Sequence, residues 1–125
     1  MQRNTIYIAS DFHLGVPNKK LSNEREHSIC KWLDSISNSA SDIYLLGDIF
    51  DFWYEYGKSV PKGHVRFQGK IAELADSGIN IHMFTGNHDM WMFNYFEEEL
   101  GVKMYRGPIT AEMKGHRVYL GHGDG

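Results

Sequence analysis

A chain of 125 residues, 42% of them hydrophobic, has the length and apolar share of one soluble globular domain, able to bury roughly two-thirds of its unfolded surface. The formal charge of -3 gives no basic footprint, so extended nucleic-acid binding is disfavoured. The single Cys30 cannot close an internal disulfide and no apolar run approaches bilayer-spanning length, so a cytoplasmic location is expected.

Thr5 to Ala9 is a β-branched and aromatic run bounded by polar residues, and reads as a buried strand ending at Ser10-Asp11. A turn-rich loop, Gly15 to Lys20, leads to Ser22 or Asn23 as the expected N-cap, with Glu26 placed as in a capping box. Ile29, Trp32, Leu33 and Ile36 then recur at helical spacing until Ser37-Asn38-Ser39. Asp42 to Leu46 is the second strand, and the strand-helix-strand order implies a parallel pair with a right-handed crossover. Phe50 to Pro61 is aromatic without a clean period and reads as a loop. A second helix is expected from about Gly63 to Ser77, with Phe67, Ile71, Leu74 and Ala75 on one face and Gly78 as its stop. Ile79 to Thr85 is the third strand, and Met92, Phe93 and Phe96 suggest a short helix. Lys103 to Tyr105, Ile109 to Met113 and Arg117 to Leu120 read as three further strands. There is no repeat, low-complexity tract or linker, so residues 1–125 are expected to belong to one domain, incomplete at its C-terminus.

Ligand-type residues gather where the strands end. Asp11-Phe12-His13 follows the first strand, Gly47-Asp48-Ile49-Phe50-Asp51 the second, Gly86-Asn87-His88-Asp89 the third, and Gly121-His122 the last. A single Asp-x-His or Gly-Asp at a strand end is common, but four such blocks in order are not. In open α/β sheets the carboxyl ends of the strands are where ligands bind. The pattern resembles the calcineurin-like metallophosphoesterases, whose blocks read D-x-H, G-D-x-x-D, G-N-H-[DE], G-H and G-H-x-H. The first four stand here in order, and the fifth does not occur within the chain.

That resemblance implies a dinuclear site for hydrolysing phosphate esters or anhydrides. Asp48 would bridge two divalent ions, Asp11 and His13 would join it on one, and Asn87 and His122 on the other. Mixed carboxylate, imidazole and amide ligation suits Mn²⁺, Fe, Zn²⁺ or Co²⁺ better than Ca²⁺, with Mn²⁺ the expected ion. His88 would act on the substrate, and Asp51 would orient its imidazole. His27, His64, His82 and His116 lie outside the blocks and read as surface or structural residues, and Cys30 as packing. The fold implied is α/β, the N-terminal half of an αββα sandwich of mixed sheets, truncated before G-H-x-H. Sheet edges that the other half covers would then be open to homodimer formation.

Ser10 to Gly15, Gly47 to Trp53 and His122-Gly123-Asp124 are similar to the UDP-2,3-diacylglucosamine pyrophosphatases of lipid A synthesis, peripheral inner-membrane enzymes that yield UMP and a lipid monophosphate. Phe50, Phe52, Trp53, Tyr54 and Tyr56, with Met90 to Phe93, would receive acyl chains or touch the membrane surface if they are not core. Many members of that group carry Arg where this chain has His88 and Glu where it has Asp51. The alternatives are therefore a phosphodiesterase or phosphatase of other specificity, or a short inactive scaffold.

Overall fold

The structure, a computed structural model, describes residues 4–10, 12–15, 18–47, 49, 64–84, 95–105, 109–113 and 116–120. In chain order the elements are β1 (Thr5–Ala9), α1 (Lys19–Ile36), β2 (Ala40–Leu45), α2 (Val65–Asp76), β3 (Asn80–Phe84), α3 (Tyr95–Leu100), β4 (Lys103–Tyr105), β5 (Ile109–Met113) and β6 (His116–Leu120). The expected aromatic loop over Phe50 to Pro61 and the Met90 to Phe93 cluster lie outside the described residues. The expected short third helix is described from Tyr95 to Leu100 and contains Phe96, while Met92 and Phe93 lie outside the described residues.

Period-2 alternation in the strands gives the sheet two apolar faces. Among the described residues β1, β2, β3 and β4 form a parallel sheet in that spatial order, and β5 and β6 an antiparallel pair. Right-handed crossovers between sequential neighbours put the helices on one face, where α1 packs on α2 and α2 on α3. Ile43, Leu45, Ile81 and Met83 point to that side and meet Ile29 and Leu33 of α1 and Phe67 and Ile71 of α2. Burying each of these side chains contributes about 1.5–3 kcal/mol before chain entropy is counted.

The other sheet face is aromatic. Tyr44 stacks on His82 with ring centroids 4.1 Å apart, Phe84 stacks on Tyr105 at 4.7 Å, and Leu120 of β6 joins Tyr44 and Phe84 in a second apolar cluster. His82 is buried there because both ring nitrogens are satisfied. Nε2 donates to the Asp42 carboxylate at 2.8 Å, and Nδ1 lies 2.9 Å from the Tyr105 hydroxyl.

The start of α1 departs from the sequence reading. Asn18, not Ser22 or Asn23, is the N-cap, its side chain accepting from the Leu21 N–H at 2.9 Å. The helix begins one turn earlier, which turns Ser22 and Glu26 inward on the stripe that continues through Ile29, Leu33 and Ile36. A buried hydroxyl or carboxylate is tolerated only when it is bonded. Ser22 Oγ accepts the Gly15 N–H at 2.7 Å, and Glu26 Oε2 accepts the Phe67 N–H at 2.8 Å. Glu26 thereby caps α2 from another helix, since His64, the N-cap residue, sits in the left-handed region at φ 57° and makes no capping bond with its side chain.

At its other end α2 stops as the sequence suggests. Gly78 adopts φ 104°, donating to the Ala75 carbonyl at 3.1 Å while Ile79 donates to Leu74 at 3.2 Å. This is a Schellman closure, in which the left-handed position favours glycine. The buried Ile79 and Leu74 are the apolar pair that accompanies it.

Candidate metal centre at the carboxyl edge of the sheet

The strand register determines which blocks become neighbours. Ala9 lies opposite Leu45 and Leu45 opposite Met83, so β1, β2 and β3 end side by side. Phe12 and His13 of the first block and Gly47 and Ile49 of the second stand just past the ends of β1 and β2, while the G-N-H-D block, which follows β3 in sequence, lies outside the described residues. Pairing continues past the strands, with Leu46 donating to the Ala9 carbonyl at 2.9 Å.

Two of the loops are latched to each other. Leu14 N–H donates to the Ile49 carbonyl at 2.9 Å, and both side chains are fully buried in the main core. The latch joins the residue after His13 to the residue after Asp48. Gly47, which opens the second block, is buried at φ 117°, a conformation that a residue with a Cβ rarely adopts. Phe12, between Asp11 and His13, packs edge to face on the buried Phe67 with centroids 6.2 Å apart, fastening the first loop to the start of α2.

His13 is half-buried and has φ 49°. Holding a non-glycine residue in the left-handed region costs about 1–3 kcal/mol and persists only where the surroundings impose it. Here they do so through the Leu14 latch, the Gly15 bond to Ser22, and Arg25, whose Nη1 donates to the His13 carbonyl at 3.0 Å. Sequence reasoning singled out His13 and assigned no such role to Ser22, Arg25, Leu14 and Ile49, whose bonds fix its loop. The inward position of Ser22 and Glu26 on the apolar stripe was the available signal, whereas Arg25 bonds to backbone and leaves no trace in residue pattern.

Of the other residues expected at the site, Asp11, Asp48, Asp51, Asn87, His88 and His122 lie outside the described residues. Among the described residues no group of His, Cys, Asp and Glu side chains forms a metal site by itself. The edge nevertheless suits divalent ions. His13 stands on a constrained loop there, and the blocks that follow the three strands in sequence carry carboxylate, imidazole and amide donors in a mix that borderline-hard cations accept.

Comparison with known proteins identifies the family. The family model for calcineurin-like phosphoesterases matches residues 5–124. A UDP-2,3-diacylglucosamine hydrolase from Porphyromonas gingivalis is 44% identical over 98% of this chain and 47% of its own length. The enzyme of the same description from Ectopseudomonas mendocina is 31% identical over 95% of the chain and 47% of its own length. The one from Aeromonas salmonicida is 28% identical over 97% and 45%. The chain thus spans about half the length of the curated relatives it matches. With a family match over residues 5–124, nearly the whole chain, it belongs to the calcineurin-like phosphoesterase family, metal-dependent hydrolases that work with divalent ions.

Proposed function

We propose that the protein carrying this chain hydrolyses the diphosphate of UDP-2,3-diacylglucosamine to UMP and a lipid monophosphate, using two divalent ions, with Mn²⁺ the preferred one. The observation that carries the reading is the latched carboxyl edge, where Leu14 N–H bonded to the Ile49 carbonyl ties the Asp11-Phe12-His13 loop to the loop containing Asp48. Similarity to hydrolases of that name supplies the substrate. When bound, the ions provide an activated water oxygen and a sink for phosphoryl charge. Asp11, His13 and Asp48 would hold one ion, and Asp48, Asn87 and His122 the other. His88 would act on the phosphoryl group, with Asp51 orienting its imidazole. Water adds to phosphorus as the phosphoanhydride P–O bond breaks, and the departing phosphate leaves with little need of a proton. A location in the cytoplasm at the inner-membrane surface accords with an acylated substrate.

His88 and Asp51 also support a second reading, a phosphodiesterase acting on poorer leaving groups, because an imidazole can deliver a proton where Arg cannot. The test is turnover of the full-length protein on UDP-2,3-diacylglucosamine and on an alkyl phosphodiester, alongside metal content. Asp48→Ala should abolish hydrolysis more completely than His13→Ala. His88→Ala should keep both ions and lose about 10²-fold or more in turnover. His88→Arg should retain much of the diphosphate activity. Release of no UMP from the lipid substrate by a protein that cleaves the diester would select the second reading. Loss of metal from a folded His88→Ala protein would refute the role given to His88.

A further inference from the structure

We propose that Arg25 and Ser22 of α1 are positioning residues for the metal loop, holding His13 in the one backbone conformation that presents its imidazole to an ion. The inference rests on the reading of His13 as a ligand. Its basis is a splint of hydrogen bonds on three successive residues. The His13 carbonyl accepts from Arg25 Nη1 at 3.0 Å, Leu14 N–H donates to Ile49 at 2.9 Å, and Gly15 N–H donates to Ser22 Oγ at 2.7 Å. Ser22 and Arg25 are three apart and so lie on one side of the first turns of α1. The helix is itself immobilised by the Asn18 cap and by Ile29, Leu33 and Ile36 in the core.

His13 needs such a splint because φ 49° is not where a histidine settles unaided. Turning the peptide between His13 and Leu14 back to a relaxed conformation would swing the imidazole away. Arg25 prevents this from the carbonyl side and Ser22 from the amide side one residue on. Gly15 is exposed, so water can replace the Ser22 oxygen when the hydroxyl is removed. Ser22→Ala should therefore disturb the position of the loop more than the stability of the fold. The sign of the effect separates positioning from charge. A guanidinium that acted through its field would repel a cation, and its removal would tighten metal binding; a guanidinium that acts by holding the carbonyl weakens binding when it is lost.

The experiment is titration of the metal-free full-length protein with Mn²⁺, following free Mn²⁺ by electron paramagnetic resonance, for wild type, His13→Ala, Ser22→Ala, Arg25→Met and Arg25→Lys. Wild type should take up two ions and His13→Ala one. Ser22→Ala and Arg25→Met should each weaken one of the two ions by about 10-fold or more, as loss of a ligand's supporting bond does. The other ion and the metal-free thermal midpoint should stay as in wild type, and Arg25→Lys should recover part of the loss. Unchanged or tighter Mn²⁺ binding in both Ser22→Ala and Arg25→Met overturns the inference. So does equal weakening of both ions with a lowered metal-free midpoint, which would mean support of the fold alone. Two ions retained by His13→Ala would instead remove the ligand role on which the inference stands, and both would fall together.

Discussion

Replacing Glu26 isolates one buried hydrogen bond between two helices. Glu26 is 3% exposed and Phe67 0%, and the Glu26 carboxylate is the acceptor for the Phe67 amide at 2.8 Å. Glu26→Ala removes that acceptor from a place water does not reach, at a cost of about 1–3 kcal/mol. Lost packing of the side-chain methylenes adds to this and relief of carboxylate burial offsets part of it, so a net loss of about 2–3 kcal/mol is expected. Glu26→Gln keeps an acceptor oxygen in place and forfeits only the charge assistance, about 1 kcal/mol. Relatives are about twice the length of this chain, and for proteins of that size roughly 2–4 °C of midpoint accompanies each kcal/mol, so Glu26→Ala should melt about 5–10 °C lower. Urea titration of the metal-free full-length protein measures both variants, with unchanged slope as the sign that only stability has moved. Amide exchange at Phe67 should accelerate in the Ala variant and stay slow in the Gln variant. A Glu26→Ala loss no larger than that of Glu26→Gln would refute the argument, because burial and not the bond would then set the energy.

Gly78→Ala places a Cβ at φ 104° and should cost about 1–2 kcal/mol by urea titration; an unchanged midpoint would show that the Schellman turn relaxes freely. Burial, reinforced by the Asp42 carboxylate, pushes the Tyr44 and Tyr105 hydroxyls above the usual tyrosine range. For such groups the folded state holds its proton longer than the unfolded one. Stability is therefore full below the unfolded value of about 10 and falls as pH rises through the folded values. Tyrosinate absorbance should show two late ionisations that merge with unfolding, and Tyr44→Phe should flatten the alkaline decline; simultaneous titration of all seven tyrosines in folded protein would contradict this.

The parts of the molecule that are local in sequence were legible from it. β1 spans Thr5–Ala9 as the apolar run suggests, and α1 and α2 end within two residues of their polar and glycine stop signals. The family was equally legible, because its motif blocks are each short and contiguous in sequence. The start of α1 was not, since Ser22, Asn23 and Glu26 satisfy a capping-box pattern while Asn18 stands before two lysines with no apolar period to announce a helix. What distinguishes a capping carboxylate from a buried one is its partner, and the partner of Glu26 is 41 residues away. His82 illustrates the same limit. Nothing adjacent to it in sequence reveals that Asp42 and Tyr105, on the two neighbouring strands, satisfy both its nitrogens.

The spatial order β1-β2-β3-β4 is also the order in which a ribosome delivers the strands. Each new strand can dock on the edge its predecessor has just made, so the sheet grows by addition and no strand has to be inserted between two already paired. At about 5–20 residues per second the stretch from β1 to β3 takes several seconds to emerge. Throughout that time Tyr44 and then Phe84 present an aromatic face whose cover includes Leu120, far behind them in the tunnel. During synthesis the helix side can thus close while the opposite side is still bare, and it is that second face, not the carboxyl edge, that a nascent-chain chaperone would have to shield.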